Sequence, residues 1–200
     1  MRSRRFALML LVAGCAKVVP PGGGPEDREP PFLLESSPGP GIVEELPTGL
    51  VLLFSERLGP GNPEPLLFPD PGHKTRFRGD RIEVTLDSPP DGPVLALLVP
   101  PGLADTRGNR SRCPLQLAWT TADTVSLASL SFSATTKGGG MTAPSSIVRL
   151  YMLPDTAEPI RTAFPDTAGF GVFPWLEPGG YRVSAFEDRD GSLVWESQTE

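Results

Sequence analysis

Histidine, cysteine and lysine are scarce in this 200-residue chain: one histidine, two cysteines and three lysines. A zinc centre needs three or four nitrogen, sulfur or carboxylate ligands in a fixed geometry, so one imidazole and a thiol point away from catalytic zinc. Few lysines and a net charge of −6 leave no basic patch for nucleic acid. The nucleophile elbow G-x-S-x-G is absent, and the single histidine, His73, sits in a Pro/Gly loop, "DPGHKT", beside Lys74, where a solvated side chain is expected rather than a catalytic base. "GHKT" and "KGGGMT" match only fragments of a phosphate loop. No enzyme activity is expected. Long apolar runs are missing as well. The run Phe6 to Val12 is far shorter than the ~20 residues that span a bilayer. Beyond it, no stretch keeps an apolar period of 3.6.

Proline (25) and glycine (22) are abundant, and proline at this density opposes helices. The apolar segments are short, rich in Val, Leu, Ile and Phe, and separated by turn residues. That pattern predicts an all-β fold.

The N-terminus orders Arg2, Arg4 and Arg5, then Phe6 to Val12, then Ala13, Gly14 and Cys15. A basic region, an apolar region and small residues in that order make a secretory signal. "VAGC" resembles the lipobox of bacterial lipoproteins. The resemblance implies a leader over residues 1–14, cleavage between Gly14 and Cys15, and a diacylglycerol on the Cys15 thiol. Several acyl chains hold a protein firmly where one is marginal. Ala16, not aspartate, follows the cysteine and favours the outer membrane. Loss of the three arginines with the leader takes the charge from −6 to −9. With Cys15 acylated, Cys113 has no intramolecular partner, and "RCPLQLAW" predicts that it is buried in a strand. Residues 15–31, "CAKVVPPGGGPEDREPP", are too polar and too rich in proline and glycine to form a core, and read as a tether.

Residues 32–121 carry regularly spaced strand signals: "GLVLLFSERL", "PLLF", "KTRFRGDRIEVTL" with a tight Gly79-Asp80 turn, the continuous apolar run "GPVLALLVP", and "PLQLAWTT". Seven or so short strands in this length is β-sandwich spacing. Phe54-Ser55-Glu56 after a core strand, and Asp105-Thr106-Arg107-Gly108-Asn109 before the last one, resemble the bacterial Ig-like domain of surface-layer proteins (SbsA type). The loop "LGPGNPEPLLFPDPG" is more crowded than that family's pattern.

Residues 122–200 read as a second unit. "TVSLASLSFSATT" and "IVRLYML" are strands, the latter with Val148, Leu150 and Met152 on one face, and "PIRTAF" is a candidate third. Asp166, Gly169, Phe173, Leu176, Pro178-Gly179, Tyr181, Val183 and Ala185 then resemble carboxypeptidase-regulatory-like, or prealbumin-like, β-sandwich modules. The resemblance implies that Phe170 and the strand after it enter the core. It also implies a turn of special φ at Pro178-Gly179, and Tyr181, Val183 and Ala185 alternating inward. Such modules continue past the point where "ESQTE" ends this sequence. No internal repeat is expected between the two units.

One stretch, "FEDRDGSLVWE", offers hard oxygen ligands: Asp188, Asp190 and Glu196, with Glu187 beside them. Calcium takes six to eight oxygens, but the EF-hand spacing is not met. A solvated turn held open by Gly191 is expected, with weak calcium binding as the functional reading. No other cofactor is expected. Trp119, Trp175 and Trp195 are expected to pack at the core or rim rather than form a sugar platform. The sequence therefore leads to a non-catalytic, lipid-anchored envelope protein with two β-sandwich modules. Its partners would be the membrane, through the N-terminal lipid, and an envelope protein or wall polymer. Its role would be structural, adhesive or protein-docking, with binding to envelope polysaccharide or peptidoglycan as the alternative.

Overall fold

Residues 24, 26–122, 128–135, 146–188, 192, 193 and 195 are described in a computed structural model of the chain. Among them the fold is all-β, with no helix and four sheets. The strands are β1 (Leu33–Ser37), β2 (Gly41–Ile42), β3 (Gly49–Phe54), β4 (Leu66–Phe68), β5 (His73–Arg78), β6 (Arg81–Leu86), β7 (Val94–Val99) and β8 (Leu115–Thr120). They continue with β9 (Ala128–Ser133), β10 (Ser146–Met152), β11 (Arg161–Ala163), β12 (Phe170–Leu176) and β13 (Tyr181–Glu187).

The sheet β1-β3-β6-β5 faces the sheet β2-β8-β7-β4. Period-2 alternation puts Leu50, Leu52 and Phe54 of β3 and Ile82, Val84 and Leu86 of β6 on the inner face of the first sheet. Leu95, Leu97 and Val99 of β7 and Leu117 and Trp119 of β8 meet them from the second. Each buried aliphatic side chain is worth roughly 1.5–3 kcal/mol against leaving it in water. The predicted hairpin pairs Phe77 with Ile82 across a turn where Gly79 has φ 63°. A left-handed residue there suits the twist of the two strands. Trp119 is fully buried, and its indole Nε1 donates to the carbonyls of Gly39 at 2.8 Å and Pro38 at 3.2 Å. That bond ties the β1–β2 turn to β8, where β2 runs parallel to its neighbour.

The sheet β11-β10-β13 and the pair β12-β9 enclose a smaller core of Val148, Leu150, Ala163, Phe173 and Leu176. The rings of Phe132 and Phe173 meet at 5.4 Å. Gly171 lets the Phe132 ring lie across it; a Cβ there would sit 2.2 Å from the ring's far edge and push it aside. A third cluster joins the halves: Leu98 of β7 with Ile147 of β10 and Phe164, flanked by Phe68, Phe186 and Leu193. Both faces of β7 are thus covered, which is why its sequence is apolar without alternation. Arg161 bridges the same seam, with Nη1 donating to the Phe68 carbonyl at 3.0 Å. Burial lowers its guanidinium to about 10, against the raising influence of Tyr181 and Glu177.

Several expectations for residues 122–200 are corrected. Phe170 is 59% exposed, and Phe173 and Leu176 supply the core instead. Val183 is 44% exposed and Ala185 is exposed as well. β13 ends its sheet, and β12 lies over β11 rather than over that edge. The left-handed residue near Pro178-Gly179 is Trp175 (φ 53°), in a bulge between Phe173 and Leu176, whereas Gly179 has ordinary φ. The two units do share a turn. Asp105-Thr106-Arg107-Gly108 and Asp166-Thr167-Ala168-Gly169 have the same D-T-x-G string and the same geometry. In each, Asp Oδ1 accepts from the N–H groups two and four residues on, at 2.8 and 2.9 Å, and the glycine takes φ 91° or 87°.

Trp119→Ala is expected to cost about 3–5 kcal/mol, the usual loss for a buried aromatic. Trp119→Phe should cost less, on the order of 1–3 kcal/mol, because it chiefly orphans the Gly39 carbonyl. Urea unfolding followed by fluorescence or circular dichroism gives both values. Equal costs would show that the indole hydrogen bond contributes nothing.

Candidate functional site

The densest polar constellation lies where Phe54-Ser55-Glu56 meets the turn Asp105–Asn109. Asp105 is buried and accepts at Oδ1 from the N–H groups of Arg107 and Asn109, and at Oδ2 from the Asn109 amide at 2.8 Å. Burial opposes its ionised form. The hydrogen bonds from Asn109, Arg107 and Gly108 outweigh that and hold its carboxyl below the ordinary value. The loop before β4 closes over this turn. Asn62 accepts from Ala104 N at 2.6 Å and donates to the carbonyls of Ala104 and Gly59, each at 3.0 Å. Gly59 has no room for a side chain, since a Cβ would sit 2.3 Å from the Asp105 carbonyl oxygen. The crowded proline-glycine loop is thus what brings Asn62 onto the turn.

Asp27 joins from the N-terminal segment. Its carboxylate pairs with Arg107, and its carbonyl accepts from the Asn109 amide at 3.2 Å. Phe32 and Ser55 then exchange hydrogen bonds, Phe32 N to Ser55 Oγ at 3.2 Å and Ser55 N to Phe32 O at 2.9 Å. The last residues of the expected tether therefore lie against the body, while its residues 15–23 and 25 fall outside the described ones. Ligand oxygens of Asp27, Glu56 and Asp105 come within 4.8 Å of one another. Asp105 already accepts three N–H donors and Arg107 neutralises Asp27, so the cluster offers far fewer free oxygens than the six to eight of a calcium site. Burial, then Asp105 and Asp27, raise the Glu56 carboxyl, and Arg107 only partly offsets them. The arrangement makes the Glu56 carboxyl harder to ionise beside Asp105 and fastens the incoming chain through Asp27.

Gly14, Cys15, Asp190 and Glu196 lie outside the described residues. Asp188 is buried and accepts from Leu193 N at 3.1 Å. His73 opens β5, with Nδ1 3.0 Å from Asp70 Oδ1, an oxygen that also accepts from Gly72 N. This pair closes a surface loop. Trp175 is half-buried and Trp195 is 56% exposed. Cys113 is exposed, contrary to the expectation of burial, because β8 begins only at Leu115 and Pro114 precedes it. It borders a cavity of about 710 Å³ that adjoins the acidic turn at Asn109.

No family model, no curated protein and no solved structure matches this chain. Its chemistry is read from its own residues. The acidic turn was half-visible in sequence through "FSE" and "DTRGN". The recurrence of D-T-x-G was there to be found as a string. The part played by Asp27 was not, because nothing in "PEDREPP" distinguishes one charge from its neighbours.

The raised Glu56 carboxyl has a stability consequence. A carboxyl raised in the folded state is stabilising at low pH and loses that contribution as pH rises from the ordinary value of 4.5 through the folded one. Asp105 has the opposite sign: its contribution is lost as pH falls below the ordinary 3.8. Glu56→Gln keeps a donor towards Asp105 at every pH. It is expected to stabilise the protein near neutral pH by up to about 1 kcal/mol, the scale of a partly exposed charge contact, and to do nothing below about pH 4. Thermal melts of both proteins across pH 3.5–8 test this. Parallel pH profiles would count against the raised Glu56 carboxyl.

Proposed function

We propose that this chain is a lipid-anchored cell-envelope protein with a structural, adhesive or protein-docking role and no catalytic one. The observation that carries the reading is the order of Arg2, Arg4, Arg5, the apolar run Phe6–Val12 and Ala13-Gly14-Cys15. Acylated Cys15 would hold the protein at a membrane, with the outer membrane favoured and the body in the periplasm or on the cell surface. The segment after it would serve as a spacer ending at the Asp27–Arg107 latch. Residues 32–121 would be an SbsA-type Ig-like domain. Residues 122–200 would be a carboxypeptidase-regulatory-like sandwich, packed on the first through Leu98, Ile147 and Phe164. The two-sheet packing and the D-x-x-G-N turn support the first assignment, and the D-x-x-G turn before β12 supports the second. Strand edges such as β13 suit docking by strand addition.

Trp195 favours a second reading, binding to a wall polymer. It is 56% exposed and borders a pocket of about 340 Å³ lined also by Arg149 and Arg182, an open indole beside polar groups of the kind that stacks on sugars.

Cys15→Ala is expected to move the protein from the membrane fraction to the soluble one, read by fractionation and immunoblotting. Unchanged partition would remove the anchoring proposal. In-cell cross-linking with mass spectrometry separates the two roles. A recurrent protein partner supports docking. Capture of wall polymer, lost with Trp195→Ala, supports the second reading.

A further inference from the structure

The cavity beside Cys113 sets arginines around an apolar floor. Its floor is apolar, made by Phe54, Val99 and Leu103 of the larger core together with Phe32 and Leu115. Arg28, Arg110 and Arg112 line it, and no Asp or Glu does. In a chain of net charge −6, that is a local reversal of sign. Arg28 is engaged by Glu26 at 2.7 Å, and Arg110 gives one N–H to the Gly102 carbonyl at 3.0 Å. Neither Arg110 nor Arg112 forms an ion pair among the described residues. A volume of about 710 Å³ lies within the range of small-molecule sites, roughly 300–1,000 Å³.

The wall also bears on the kind of ligand. Four prolines line it, Pro30, Pro31, Pro100 and Pro114, and none has an N–H to offer. An extended peptide would leave carbonyl groups unsatisfied against such a surface, which is costly. A hydrocarbon chain asks for no hydrogen bonds and gains by leaving water. A planar guanidinium matches a carboxylate with two parallel N–H···O bonds.

We propose that this cavity binds a long-chain carboxylate, its hydrocarbon on Phe32, Leu33, Leu115 and the proline wall and its head group on Arg110 and Arg112. The site requires no membrane anchor, so it stands or falls separately from the envelope reading.

Cys113 reports occupancy, because its exposed thiol borders the cavity. The full chain is alkylated with N-ethylmaleimide, and mass spectrometry of the Cys113 peptide gives the rate with and without dodecanoate below its micelle concentration. Saturable protection by dodecanoate is expected, with dodecanol weaker by about tenfold or more, the scale of one lost charge-assisted hydrogen bond. Arg110→Gln with Arg112→Gln should raise the half-protecting concentration of dodecanoate by a similar factor. Arg112→Glu alone, at an exposed position, should do so without altering the thermal midpoint. Absence of protection, equal protection by the alcohol, or unchanged protection in Arg112→Glu would each overturn the proposal.

Discussion

Burial of β7 on both faces is the constraint on which the rest of the structure depends. One face, Leu95, Leu97 and Val99, closes the larger core. The other, through Leu98, is covered by Ile147 and Phe164. Left open to water, that outer face would be a flat apolar strip, and the second half of the chain is what removes it. The seam cluster thus lies on the outer face of the strand that closes the larger core. Arg161 adds a polar tie across the same seam at an energetic cost, since its buried Nε has no partner.

Turns are fixed by a different kind of interaction. In both D-T-x-G turns, one aspartate oxygen takes two backbone N–H groups and a glycine supplies the left-handed backbone. The first copy does more than the second. Asp105 is buried, and Asn109, Arg107 and Asp27 extend its hydrogen bonds to the incoming chain. The second, at Asp166, stays at the surface and only reverses the chain into β12. The same local code thus serves as an anchor in one place and as a plain corner in the other, depending on what packs around it.

Polar chemistry and apolar volume meet at one end of the larger sandwich. The acidic turn, the arrival of the N-terminal segment and the arginine-rimmed cavity are contiguous through Asn109. Acidic groups are gathered on the turn and basic ones around the cavity.

By itself, the sequence determined the all-β class, the strands of the larger sandwich and the hairpin at Gly79, because alternation and turn chemistry are local. It determined the aspartate turns for the same reason. It also carried a hint of the second half's packing, in a β7 run too apolar to be half-exposed. Only the tertiary structure decided the rest. Phe170 and Val183 look like core residues in sequence, but Phe170 lies on the outer face of β12, and Val183, on the same face as Leu150, sits on an edge strand left half-exposed among the described residues. Cys113 reads as buried, yet Pro114 delays the strand past it. The arginines around the cavity come from two distant segments, Arg28 from one and Arg110 and Arg112 from the other, and local pattern holds no record of which distant segments will meet. Burial and charge clustering are properties of neighbours in space, and only the fold supplies those neighbours.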